Sequence, residues 1–352
     1  MTKMDAPSPT KPAYIDLDAP EAGNGKAVEV GPGVHWLRMP LFGGDFVINC
    51  WALEDSDEWA IVDTGLKSQQ CEAAWAIAAE ELLDSRRIGR VFATHMHPDH
   101  AGMAGWLTRL HGGTLHMTRL EYLTFLMFEA GGEAAVQEER EFHRKGGMPE
   151  DWFADFRARS ANFANVISEV PRAYRPMQDG DRIAIGGREW QVVVGHGHSP
   201  EHACLWNRQD RLLISGDQIL PEISSNVSVV AHEPDGDPLS DWITSLARIK
   251  AVVSDDVLVL PAHGQPFHGL HNRIDALLAG HERKLDRLAG ALGAAPRPAT
   301  DFYSVLFRNV EDSFWSRSLA LGEALSHLAC LRQRGIAVSG EDTEGVIRWA
   351  KA

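Results

Sequence analysis

The chain has 352 residues, 44% of them hydrophobic and 24% charged, enough to bury one large core or two smaller ones. Its 49 acidic residues outweigh 34 basic ones, for a formal net charge of -15, and such a surface repels nucleic-acid backbones and anionic membranes at long range. No apolar run is long enough to span a bilayer, so neither a nucleic acid nor a membrane is expected as a partner.

In chain order, residues 1–25 read as a flexible arm. The start is polar and proline-rich, without the apolar stretch of a secretory leader. Segments 28–39, 46–53 and 59–62 read as strands joined by turns, and 68–83 as a helix dense in Ala, Glu and Leu. A strand over 90–94 then delivers Thr94-His95-Met96-His97-Pro98-Asp99-His100. Side chains two apart on an extended chain share a side, so His95 and His97 pair up, while a turn at Pro98 re-aims Asp99 and His100. Two donor sets facing neighbouring points suit a pair of metal ions, and imidazole with carboxylate suits zinc, iron or manganese. A helix over 100–111, with Met103, Trp106, Leu107 and Leu110 on one face, and a short strand at 115–117 follow.

Residues 119–171 change character, becoming helical with Tyr122, Phe125, Phe128, Trp152 and Phe153. An insertion here overhangs the histidine-bearing edge. Its aromatics suit a lid over an apolar substrate, a small core of its own, or a homodimer contact.

A second strand set begins near 182. In it Val192-Val193-Val194-Gly195-His196-Gly197-His198-Ser199-Pro200-Glu201-His202, Leu212-Leu213-Ile214-Ser215-Gly216-Asp217 and Val257-Leu258-Val259-Leu260-Pro261-Ala262-His263-Gly264 have one form, and Trp59-Ala60-Ile61-Val62-Asp63-Thr64-Gly65 shares it. In each, a strand long enough to be buried stops and a metal-competent residue sits just past its end. A helix over 241–253 separates the last two segments. Beyond residue 269 come an amphipathic helix over 270–292, with His271 and His281 expected on its surface, a linker rich in Ala and Pro, and helices over 300–307, 313–334 and 341–349. Cys50, Cys71, Cys204 and Cys330 form no C-x-x-C pair and read as buried, reduced thiols, which points to a cytoplasmic location.

Five segments in this order resemble the metallo-β-lactamase superfamily, in its glyoxalase II-like hydrolase branch, over about residues 28–270. The resemblance implies an α/β fold, an αββα sandwich, with a catalytic domain at 26–269 that carries 119–171 as a helical, lid-like insertion. The piece 270–352 resembles the small, helical, winged-helix-like extension of some hydrolases in this superfamily. By the same resemblance His95, His97 and His198 hold one divalent ion and Asp99, His100 and His263 a second, with Asp217 bridging. The metal is expected to be zinc, with iron or manganese as alternatives. Asp63 takes the family's early aspartate position, which orients the histidine loop without binding metal. The His198 loop departs from the family's usual Pro-Gly-His-Thr-x-Gly form. Its extra His202 is expected to support the loop, and its extra His196 either touches substrate or bonds to backbone.

The implied activity is a binuclear hydrolase in which a metal-bridging hydroxide attacks a small-molecule thioester, lactone or related ester, with Asp99 handling its proton. The alternatives are a ribonuclease or phosphodiesterase, a mononuclear iron enzyme resembling a persulfide dioxygenase, and a non-catalytic binding protein. The last would normally have lost a ligand.

Overall fold

The computed structural model describes residues 12–41, 46–84, 86–154, 156, 163–310 and 313–352. Its strands are β1 (Ala13–Tyr14), β2 (Val28–Gly31), β3 (Val34–Leu41), β4 (Phe46–Asp55), β5 (Glu58–Val62), β6 (Ile88–Phe92), β7 (Thr114–Thr118), β8 (Tyr174–Met177), β9 (Arg182–Ile185), β10 (Arg188–Gly195), β11 (His202–Asn207), β12 (Leu212–Gly216), β13 (Leu258–Pro261), β14 (Phe267–His268), β15 (Arg297–Pro298), β16 (Ala337–Glu341) and β17 (Ile347–Lys351). They form one sheet in the order β2-β3-β4-β5-β6-β7-β8, a second in the order β1-β14-β13-β12-β11-β10-β9, and a small third one, β15-β17-β16. The helices are α1 (Gln69–Glu81), α2 (Pro98–Ala101), α3 (Ala104–His111), α4 (Arg119–Ala130), α5 (Glu133–Lys145), α6 (Pro238–Val252), α7 (Leu270–Ala291), α8 (Tyr303–Leu306) and α9 (Phe314–Gln333).

Alternation along the strands sets the layers. Val34, Trp36, Trp51 and Leu53 of the first sheet share one buried cluster with Val192, Val194, Leu205, Ile214 and Leu260 of the second. Their alternate neighbours Leu37, Met39, Cys50 and Ala52 turn outward against Cys71, Ala74 and Trp75 of α1. On the second sheet Val193, Cys204, Leu213 and Val259 turn outward against Trp242, Leu246 and Ile249 of α6 and Ile274 of α7. Both sheets are therefore covered on both faces, which is why their strands read as nearly unbroken apolar runs. The layers follow as helix, sheet, sheet, helix, the expected αββα sandwich. β5, β6 and β7 run parallel, as do β12 and β13, so their carboxyl ends gather along one edge.

Several expectations change. The strand expected over 28–39 is broken in two at Gly33, whose φ of 59° makes the turn. Residues 1–11 of the expected loose arm lie outside the described residues. From Ala13 onward the arm is fixed: β1 pairs antiparallel with β14, and the Tyr14 hydroxyl donates to Glu222 at 2.8 Å. The helix expected over 341–349 is a β-hairpin of β16 and β17. Its turn is made by Asp342, whose Oδ1 accepts from the backbone of Glu344 and Val346, and by Gly345 with φ 77°. His281 is not on the surface of α7 but buried, its Nε2 2.9 Å from the Ser224 hydroxyl and its Nδ1 3.5 Å from His327.

The aromatics of 119–171 form no separate core among the described residues. Tyr122 and Phe125 pack into the cluster under the first sheet, whereas Trp152 and Phe153 join Phe302, Phe314 and Leu321 from the carboxy-terminal part. Trp152 stacks on Phe314 with ring centres 4.6 Å apart, and His143 Nε2 lies 2.7 Å from the Ser318 hydroxyl. The segment 119–171 thus braces two parts of the chain. Trp152→Ala is expected to cost about 3–5 kcal/mol of stability, the range for emptying a buried aromatic site, read as a lower urea midpoint. An unchanged midpoint would mean that the insertion and α9 do not share a core.

Candidate metal centre

Where the parallel strands end, the backbone must turn within a few residues, and the turns carry the polar side chains. β5 stops at Val62 and Asp63 follows with φ 59°, a left-handed conformation uncommon for a residue with a side chain. Asp63 is buried. Its Oδ1 accepts from the Thr94 backbone at 2.8 Å, both of its oxygens accept from the Thr94 hydroxyl, and its Oδ2 accepts from His100 Nδ1 at 2.8 Å. One carboxylate thereby pins the loop after β6 at both ends. His95 and His97 lie in that loop, beyond the strand rather than on it.

The imidazoles repeat one arrangement. His100 gives Nδ1 to Asp63, His198 gives Nδ1 to the Asn226 carbonyl at 2.7 Å, and His263 gives Nδ1 to the Val47 carbonyl at 2.8 Å. His95 Nδ1 lies 3.1 Å from the Thr94 hydroxyl. The nitrogens on the other side of these rings converge. His95 Nε2 is 2.8 Å from His97 Nδ1 and 3.2 Å from His198 Nε2. His100 Nε2 is 3.7 Å from Asp99 and 3.5 Å from Asp217, and His263 Nε2 is 3.4 Å from Asp99 and 3.6 Å from Asp217. Asp217 Oδ2 also stands 3.5 Å from His198 Nε2, so this carboxylate touches both groups. Three donor triplets result, each within 4.8 Å: His95, His97 and His198; His95, His100 and Asp217; Asp99, His100 and His263.

This set fits divalent cations. His100 Nε2 and Asp217 Oδ1 are buried without a hydrogen-bond partner, an arrangement that is costly unless a cation completes it. Burial, then the neighbouring imidazoles, holds His95 well below the usual histidine range, and burial with His198 takes His97 down to about 3. Held neutral in this way, each ring keeps a lone pair that a cation can use. Burial opposes charge on His100 too, but the carboxylates of Asp99, Asp217 and Asp63 outweigh it and push its pKa up. Asp99, against the cost of burial, is taken down to about 2, chiefly by His100 and His263.

Glycines let the backbone approach. Gly216, with φ 50°, passes so close to His202 that an added Cβ would sit 2.5 Å from its Nε2, and that same Nε2 accepts from the Asp217 backbone at 3.0 Å. The His202 ring thus bonds the backbone of Asp217, whereas the expectation had it supporting the His198 loop. His196 is exposed, its Nδ1 2.6 Å from the Pro200 carbonyl, which ties the loop to itself.

Three positions of the site carried no motif. Asn49, buried in β4, donates to the carbonyls of Pro261 and Gly264, both at 2.8 Å, and fixes the His263 turn. Glu121, fully buried in α4, accepts from the Met96 backbone at 2.9 Å and the Glu201 backbone at 2.7 Å, joining the His95 and His198 loops. Asn226 offers its carbonyl to His198, while its Nδ2 donates to Glu323 Oε2 at 3.2 Å; Lys284 Nζ donates to the other Glu323 oxygen at 2.7 Å. The legible signal was a lone polar residue inside an apolar run: Asn49 between Ile48 and Cys50, Glu121 between Leu120 and Tyr122.

A family model described as the metallo-beta-lactamase superfamily matches residues 43–264 of the chain, and one for a metallo-beta-lactamase-like C-terminal domain matches 285–352. The chain belongs to the metallo-β-lactamase superfamily. A crystal structure of a beta-lactamase domain protein from Burkholderia ambifaria is 37% identical, with a TM-score of 0.88 over 97% of this chain and 98% of that one. A metallo-beta-lactamase family protein from Thermus thermophilus shares the fold at 24% identity, with a TM-score of 0.77 over 92% of this chain and all of that one (100%). Among curated proteins, the probable metallo-hydrolase YqjP of Bacillus subtilis is 24% identical over 84% of this chain and 90% of its own length. The acyl-coenzyme A thioesterase MBLAC2 of Gallus gallus is 26% identical over 68% of this chain and 80% of its own. The chain is accordingly a hydrolase of this superfamily. No helix among the described residues is long and apolar enough to cross a membrane, and the four cysteines are free and buried.

Burial raises Glu121 to about 7, against the two backbone donors that favour its charged form. A carboxyl raised in the folded state contributes stability that is complete below its unfolded pKa of about 4.5 and is lost as the pH rises through about 7. Glu121→Gln removes this titration together with one acceptor. Its deficit in melting temperature against the native chain is therefore expected to shrink from pH 5 to pH 8, in paired thermal melts. A deficit that grows with pH would show that Glu121 is stabilised as the anion.

Proposed function

We propose that the chain is a two-metal hydrolase of acyl thioesters, with lactones and related esters as chemically neighbouring substrates. The carrying observation is the meeting of two imidazole groups on one carboxylate, Asp217, with buried donors left unpartnered. His95, His97 and His198 would hold one ion, Asp99, His100 and His263 the other, and Asp217 both. Zinc suits this set, and iron or manganese uses the same donors.

Bound divalent ions supply Lewis acidity, polarising the scissile carbonyl and bringing the pKa of a water close to 7. The residues do the rest. Asp63, Asn226 and the Val47 carbonyl fix ring orientation, so that little reorganisation remains when charge develops. Asp99, a quarter exposed at the open side of the cluster and held ionised, is placed to accept the proton of the attacking water. A carbon–oxygen bond forms as the carbon–sulfur bond breaks, and the thiolate leaves with the proton returned to it. The thioester choice draws on the thioesterase relatives, the MBLAC2 enzyme and an atrochrysone carboxyl ACP thioesterase of Aspergillus fumigatus, 27% identical over 36% of this chain and 28% of its own length. The acidic surface argues against a polyanionic RNA substrate. A homodimer and a cytoplasmic setting remain parts of the same proposal.

Elemental analysis of the purified chain is expected to find two divalent ions per molecule, and a chelator to abolish hydrolysis of acetyl-N-acetylcysteamine until metal is restored. Asp217→Asn is expected to lower both the metal content and kcat/KM, the latter by more than about a hundredfold. Full turnover by metal-free protein would remove the proposal, and a single tightly held iron would favour oxygenation instead.

A further inference from the structure

Two buried histidines stand outside the metal centre. His281 lies on the buried face of α7 and His327 within α9, and both are almost wholly enclosed. A buried imidazole needs a partner for each nitrogen, and here the partners form a directed chain. His327 Nδ1 is 2.7 Å from the Glu323 carbonyl, one turn back on α9. A carbonyl only accepts, so this nitrogen carries the hydrogen. Burial takes His327 down to about 4, and burial with His327 beside it takes His281 to about 3, so both rings are neutral at pH 7. His327 Nε2 is therefore bare and accepts from His281 Nδ1 at 3.5 Å. His281 Nε2 is bare in turn and accepts from the Ser224 hydroxyl at 2.9 Å. The Ser225 carbonyl, at 3.2 Å, competes for that hydrogen from further away. The donors thus run from Ser224 to His281, from His281 to His327, and from His327 to Glu323.

Both ends of this chain return to one loop. Glu323, which closes it with its carbonyl, accepts from Asn226 Nδ2 at 3.2 Å with its carboxylate. Ser224 and Asn226 are both anchored, and Ser225 lies between them. The Ser225 hydroxyl donates to the Asp217 carbonyl, and the Asn226 carbonyl receives His198 Nδ1 at 2.7 Å. The Trp242 ring of α6 neighbours both systems, its centre 6.5 Å from that of His198 and 6.5 Å from that of His281. We infer that Ser224, His281 and His327 are positioning residues of the metal centre, a neutral hydrogen-bond relay through which α7 and α9 hold Asp217 and His198 in place. The inference rests on the two-metal reading of Asp217 and His198. A hydroxyl left to itself can turn to either acceptor; the bare nitrogen of His281 decides for it, and the Glu323 carbonyl, two rings away, is what leaves that nitrogen bare.

Cobalt(II) serves as the probe, because its visible absorption reports ligand geometry. In the full chain, Ser224→Ala is expected to change the visible spectrum of bound cobalt and to weaken cobalt binding about tenfold, as for losing a group that orients a metal ligand. Ser224→Thr keeps the hydroxyl and is expected to restore both. Ser318→Ala is the control: it removes a hydroxyl from another buried imidazole, His143, at 2.7 Å, and is expected to leave spectrum and affinity native. Nitrogen-15 spectra of the rings at pH 7 are expected to show His281 and His327 with hydrogen on Nδ1 alone. A native spectrum and affinity in Ser224→Ala overturns the relay and leaves the two-metal reading standing. Equal losses in Ser318→Ala mean that any loosening of α9 suffices, and overturn the relay as well. Hydrogen on Nε2 of either ring overturns the direction on which it is built. A native chain that takes up no cobalt overturns the two-metal reading, and the relay with it.

Discussion

The centre depends on one constraint: an imidazole can aim one nitrogen only if something holds the other. Asp63 does this for His100, and backbone carbonyls do it for His198 and His263. An aimed ring loses its rotational freedom during folding, before any ligand arrives, so the entropy is not charged to binding. The strain at Asp63, a left-handed backbone beneath a buried carboxylate, is tolerable because three hydrogen-bond donors converge there. Its neighbours follow from it: Thr94 is held, the loop after β6 is held through Thr94, and the Thr64 hydroxyl, one residue on, donates to the His100 carbonyl at 2.7 Å.

What a linear reading recovers, and what it misses, follows from where the chemistry resides. Side chains at strand ends leave a pattern, so His95, His97, Asp99, His100, His198, Asp217 and His263 were legible, and they do meet in space. Strands covered on both faces leave unbroken apolar runs, so a layered α/β protein was legible in the pattern, whereas the αββα order of the layers came only from the family resemblance. The acceptors at Val47 and Asn226 are main-chain carbonyls, which any residue supplies, and no spacing rule finds them. His281 departs from the surface position expected of a histidine because of where it sits on the helix. It falls on the same face of α7 as Ile274, Leu277 and Leu285, and that face is buried. The terminal hairpin was missed because Asp342 and Gly345, the two residues that make its turn, sit inside a short polar stretch that also suits a helix end.

Helix α9 has a double attachment. Its Gly322 carbonyl receives the Val229 backbone, and its Glu323 carboxylate is shared by Asn226 and Lys284. An added Cβ at Gly322 would lie 2.6 Å from the Ser228 hydroxyl, so the helix backbone approaches that loop as closely as chemistry allows. The same loop offers Asn226 to His198. The carboxy-terminal part is therefore mechanically continuous with the histidine centre, although a separate family model describes it.

This continuity bears on how such chains can diverge. A recombination event that replaced α9 with a foreign helix would bring in a side chain where Gly322 allows none, and would leave Asn226 without its carboxylate. The residues of the tail and those around Asn226 therefore constrain one another, although nearly a hundred positions separate them in the chain.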